Sequence, residues 1–147
     1  MNSGQVKIRT TVLCLPVSDP GRSLAFYQNV FGYRDAAIED GIIALELPSL
    51  SLFLMERTAF EAYSRKAGRG VQFPGADCGA IISCAMTTRD AVDAMMKAAP
   101  SHGGSVSGRP AIDEASGGYT GYVTDPDGYL WELVFPLQRS QAADAFG

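Results

Sequence analysis

The sequence predicts an α+β fold made of two copies of a βαβββ unit, and three observations carry that prediction. Residues 10–17, "TTVLCLPV", form a run of β-branched and apolar side chains followed by a capped amphipathic helix and then by short strand-like segments. The same order restarts near residue 79. The copies are offset by roughly 70 residues, so "VSDPGRSLAFYQNVFG" and "TTRDAVDAMMKAAPSHGG" bring two caps, two helical stripes and two terminating glycines into register.

In the first unit, residues 8–56, Asp19 is suited to cap a helix and Pro20 to occupy its first position, where a missing N–H costs nothing. Leu24, Tyr27 and Phe31, with Phe26 and Val30 beside them, give the helix one apolar stripe, and Gly32 can end it. Strands are expected around residues 33–38, 42–47 and 50–56, with "EDG" and "PS" as turns.

Residues 57–78 are read as a linker holding a short helix and the loop "QFPGADCG". The second unit, residues 79–136, opens with a strand at 79–86 and a helix whose capping box runs from Thr87 to Asp90. Val92, Met95, Met96 and Ala99 form the apolar face of that helix. Strands are expected near 104–109, 118–124 and 129–135, the last two joined by the turn Asp125-Pro126-Asp127-Gly128. Residues 137–147 are a tail. The 147 residues together are expected to form a single domain, a length at which one core can be sustained without staples.

Composition excludes several partner classes. Net charge is −4, and no Lys/Arg run interleaved with aromatics supplies the positive surface that nucleic acid needs. No apolar run reaches the ~20 residues of a membrane span, and the start carries no signal-like segment, so a cytoplasmic location is expected. Cys14, Cys78 and Cys84 are odd in number and lack C-x-x-C spacing, which predicts free thiols in place of disulfides or a zinc knot.

The segments "LPVSDPGRSLAFYQNVFGY" and "GYTGYVTDPDGYLWEL", in this order and spacing, resemble the glyoxalase/bleomycin-resistance/dioxygenase superfamily over about residues 8–136. The resemblance implies a curved mixed sheet around a cleft and a homodimer that completes its clefts across a two-fold. It also implies a divalent metal held by histidines near the starts of the first strands and by glutamates on the last strands. Here those histidine positions fall on Val12 and Ala80, which cannot coordinate. Glu132 matches the C-terminal carboxylate and Glu56 is a looser match. Two carboxylates without nitrogen or sulfur donors make a poor transition-metal site, so no metal and no cofactor are expected.

Strand alternation then gives a candidate ligand site. Side chains two apart share a face, which groups Val12 with Cys14, groups Ala80 with Ile82 and Cys84, and turns Glu132 inward with Leu130. Tyr122 joins them, while Trp131, Leu133 and Phe135 face the helices and the Trp131 indole seeks a backbone acceptor. The expected ligand set is Val12, Cys14, Ala80, Ile82, Cys84, Tyr122 and Glu132, an apolar cleft suited to a small molecule. Glu132 doubles as the candidate catalytic acid or base. Three functions stay open: a metal-free small-molecule binding protein, a divergent lyase, isomerase or dioxygenase using Glu132, and a non-catalytic partner-binding domain.

Overall fold

The computed structural model describes residues 4–137. Its elements are β1 (Val12–Val17), α1 (Pro20–Asn29), β2 (Ile38–Glu39), β3 (Ile42–Leu47), β4 (Leu50–Glu56), α2 (Arg57–Ser64), β5 (Ile81–Ala85), α3 (Arg89–Ala98), β6 (Ser105–Val106), β7 (Ala111–Ile112), β8 (Gly118–Thr124) and β9 (Leu130–Pro136). Short 3-10 turns follow α2 and α3. The strands form two mixed sheets, ordered β1-β4-β3-β2 and β5-β9-β8-β6, with β7 also paired to β8. Each sheet has one parallel pair, β1 with β4 or β5 with β9, and is otherwise antiparallel. The α+β fold of repeated units is therefore observed.

The first helix forms as its residues dictate. The Asp19 carboxylate accepts from the N–H groups of Gly21 and Arg22, and Gly32 leaves the helix at φ +81°. In the second helix the cap is Thr88 and not Thr87: its hydroxyl accepts from the Ala91 N–H at 3.0 Å. The expected strand at 33–38 shrinks to Ile38–Glu39, and the one at 104–109 divides into β6 and β7. Gly108 at φ +69° and Pro110, which has no N–H to donate, stand between those two pieces.

One apolar core joins both halves. Leu45, Leu52 and Leu54 of the first sheet, Val123, Trp131 and Leu133 of the second, and residues of α1 and α3 are buried in a single cluster. The rings of Tyr27 in α1 and of Phe31 just after it stand 6.0 and 4.5 Å from Trp131 on β9, so the first helix packs against the second sheet. α3 packs on β8, where Gly121 makes room: a β-carbon there would lie 2.8 Å from the Met96 sulfur.

Polar ties fix the halves to each other. Asp125, 2% exposed, accepts at Oδ2 from the Tyr27 hydroxyl at 2.8 Å, and at Oδ1 from the N–H groups of Asp127 and Tyr129 at 3.0 and 2.9 Å. The Trp131 indole donates to the Tyr27 hydroxyl at 3.1 Å, a side-chain acceptor where a backbone one was expected. Tyr129 donates to the Pro16 carbonyl at 2.7 Å, and the Ser18 hydroxyl and N–H both donate to Asp127 Oδ1. The "DPDG" turn thus closes the β8–β9 hairpin and also locks it to the end of β1.

Candidate functional site

Strand register decides which side chains share a face. On β5, Ser83 stands opposite Glu132, and on β8 Tyr122 does. The Glu132 carboxylate accepts from the Ser83 hydroxyl at 2.7 Å with one oxygen and from the Tyr122 phenol at 2.5 Å with the other. This hydrogen bond, with lesser help from burial and from the charges of Glu132 and Asp113, pushes the Tyr122 pKa up to about 12. The phenol stays protonated and keeps donating at neutral pH.

The expected set is thereby divided. Tyr122 and Glu132 lie on the face of the second sheet turned away from the helices, together with Ser83, which is outside the expected set. Val12 and Cys14 occupy the corresponding open face of the first sheet, both exposed. Ile82 and Cys84 point the other way, toward the core cluster. The expected alternation of β5 is therefore off by one residue: in "IISCA" the polar Ser83 shares the open face with the apolar Ile81, which obscures which side is buried.

Comparing the two sheets locates the metal positions that the resemblance implies. Cys14 pairs with Phe53 and Phe53 with Ala44, just as Ser83 pairs with Glu132 and Glu132 with Tyr122. The buried neighbours agree, Leu52 and Leu54 answering to Trp131 and Leu133. Phe53 thus takes the place of Glu132 in the first sheet, and Ile81, not Ala80, is the counterpart of Val12. Glu56 lies on the opposite alternation and opens α2. The donors at the four positions reduce to one carboxylate already engaged by two hydroxyls. Among the described residues no group of three His, Cys, Asp or Glu side chains is placed to hold a metal ion, and the residues present do not fit one. His102 ends the turn after α3.

A concave space lies elsewhere. A pocket of about 320 Å³ opens at the seam between the sheets, between Leu13 and Leu15 of β1 and Ile82 of β5. Ala80, Tyr129 and Leu130 continue its wall, and Gln72, Phe73 and Pro74 of the segment before β5 cover it. Of the expected ligand residues, Ala80 and Ile82 line it. Leu13 and Leu15 lie on the β1 alternation opposite to Val12 and Cys14, and Phe73 and Tyr129 come from loops. No strand period points to those residues, and only the folded arrangement brings them together.

Fold and site together define a duplicated βαβββ protein with an apolar seam pocket and, among the described residues, no cluster of metal-binding side chains. The sequence profile of the Glyoxalase/Bleomycin resistance protein/Dioxygenase superfamily matches residues 8–133, and the chain belongs to that superfamily. Among solved structures it is similar to a glyoxalase-related enzyme from Fulvimarina pelagi (TM-score 0.72, 24% identity, covering 86% of this chain and 87% of that one). A glyoxalase/bleomycin resistance protein/dioxygenase from Nocardioides superposes with TM-score 0.70 at 18% identity, covering 92% of this chain and 88% of that one. A virulence protein from Salmonella typhimurium does so with TM-score 0.62 at 25% identity, covering 90% and 100%. No curated protein matches the sequence. Among the described residues no helix is long and apolar enough to cross a membrane.

Proposed function

We propose that this chain is a metal-independent small-molecule binding protein whose ligand occupies the seam pocket. The observation that carries the reading is the donor set: Val12, Ile81 and Phe53 stand where metal ligands would be needed, and Glu132 is committed to Ser83 and Tyr122. The pocket supports it from the other side, with a volume at the lower end of the roughly 300–1,000 Å³ typical of ligand sites and mainly apolar walls. Ala80 and Ile82 contact the ligand directly. Cys84 backs the same strand from the core. Val12 and Cys14, and Tyr122 and Glu132, lie outside the pocket on the open faces of the first and second sheets.

A second reading has one observation in its favour. The Tyr122–Glu132 hydrogen bond joins an acid to a carboxylate on an accessible face, the pairing that a divergent lyase, isomerase or dioxygenase would use to move a proton through Glu132. The proposal extends to a cytoplasmic homodimer that binds no nucleic acid. Val12 and Ile81, 45% and 55% exposed on the open faces, support their being covered by a second copy.

A fragment screen by methyl-detected NMR in the presence of EDTA tests the reading. Fragments that saturate and shift the Leu15 and Ile82 methyl signals without added metal are expected. Absence of any such fragment, or binding that requires a divalent ion, contradicts it.

A further inference from the structure

The wall of the seam pocket narrows the chemistry of what it can hold. Among the described residues, no Asp, Glu, His, Lys or Arg side chain lines it. An ion entering such a site gives up hydration and meets no charged lining side chain to replace it. Charged groups border the lining without belonging to it: the Arg57 guanidinium lies 5.7 Å from the centroid of the Phe73 ring, and Asp125 and Asp127 stand in the turn that precedes Tyr129. Asp125 is occupied by Tyr27 and two backbone N–H groups, and Asp127 Oδ1 by Ser18. Neither a cation nor an anion finds a charged partner among the lining side chains.

The polar groups that remain are few, and one of them is the exposed Cys78 thiol, a weak donor. The Tyr129 hydroxyl is spent on the Pro16 carbonyl, so the ring presents its carbon framework to the pocket. Gln72 supplies one amide, able to donate and to accept, at an exposed position on the rim. Phe73 and Pro74 add flat apolar surface, against which an aromatic ring packs well. The volume is small enough to limit the occupant to a compact molecule.

We infer that the pocket selects an uncharged, mainly apolar molecule of one or two rings, carrying at most one polar group directed at Gln72, and discriminates against ions of either sign. This rests on the proposed function, since it presupposes that the seam pocket is a binding site. It adds the ligand class, which that reading leaves open.

The test is calorimetric titration of the full chain at pH 7 with three probes of one shape: 2-naphthol, 2-naphthoate and 2-naphthylmethylammonium. The neutral probe is expected to bind at least about tenfold more tightly than either ion, and to shift the Leu13, Leu15 and Ile82 methyl signals. Leu13→Trp, which fills the pocket from an edge strand, is expected to weaken 2-naphthol by about tenfold or more. The methyl shifts locate the probe even where that variant folds poorly. Equal or tighter binding of either ion overturns the ligand class while leaving the pocket as a binding site. Failure of all three probes to bind removes the site itself, and with it the proposed function.

Discussion

Tyr27 on the first helix and Asp125 in the β8–β9 turn are 98 positions apart and share a buried hydrogen bond of 2.8 Å. Tyr27 also receives the Trp131 indole proton, so its hydroxyl links the two halves through one oxygen. Replacing Tyr27 with Phe removes the donor to a buried carboxylate and the acceptor of a buried N–H while keeping the ring contacts. A loss of about 1–3 kcal/mol in unfolding free energy is expected, read from urea denaturation followed by the single tryptophan.

Burial makes Asp125 a pH-dependent element of stability. Desolvation raises its pKa to about 6 against the opposing pull of its hydrogen bonds, whereas the unfolded chain titrates near pH 4. Between these values the folded state binds more protons than the unfolded one, so stability falls as pH rises. The contribution is fully present below about pH 4 and is lost through about pH 6, a change on the order of 3 kcal/mol. Denaturation midpoints measured from pH 4 to 7 are expected to decline over this window, and Asp125→Asn to flatten the decline.

The carboxylate of Glu132 has a spectroscopic consequence. Its hydrogen bond is the leading cause of the raised pKa of Tyr122, so Glu132→Gln is expected to bring that phenol down from about 12 toward an ordinary tyrosine value. Titration of ring-labelled tyrosine signals by NMR checks this. An unmoved Tyr122 signal means that the two side chains do not interact in solution.

Two glycines permit close approach, to different degrees. A β-carbon on Gly104 would stand 2.4 Å from the Thr124 carbonyl oxygen and 2.5 Å from the Phe26 ring, both parts of the packed framework. On Gly121 it would meet the sulfur of Met96, a flexible side chain that can move. Gly104→Ala is expected to lower the melting temperature more than Gly121→Ala, with the latter costing about 1–2 kcal/mol. The reverse order contradicts the packing described.

Much of the fold is written in local signals. The Asp19-Pro20 cap, the stripe through Tyr27 and Phe31, and the turn at Gly128 each follow from a residue's own conformational preference, and the structure places all three where they were expected. Position along the chain was less informative where neighbours were chemically alike. Thr87 and Thr88 are equally able to cap, and in Ile81–Ala85 the one hydroxyl residue, Ser83, shares its face with Ile81, which obscures the buried side. The pocket is harder still to anticipate, since Leu13, Phe73, Ile82 and Tyr129 meet only through the packing of one half on the other. Asp125 reads locally as a turn residue, and its burial is a property of Tyr27 and Trp131.

The central claim is independence from metal, and purified protein dialysed in turn against Ni²⁺, Zn²⁺, Mn²⁺ and Fe²⁺ tests it most directly through its metal content. The account predicts substoichiometric metal that Glu132→Gln leaves unchanged. One tightly held ion per chain, lost in that variant, would contradict it.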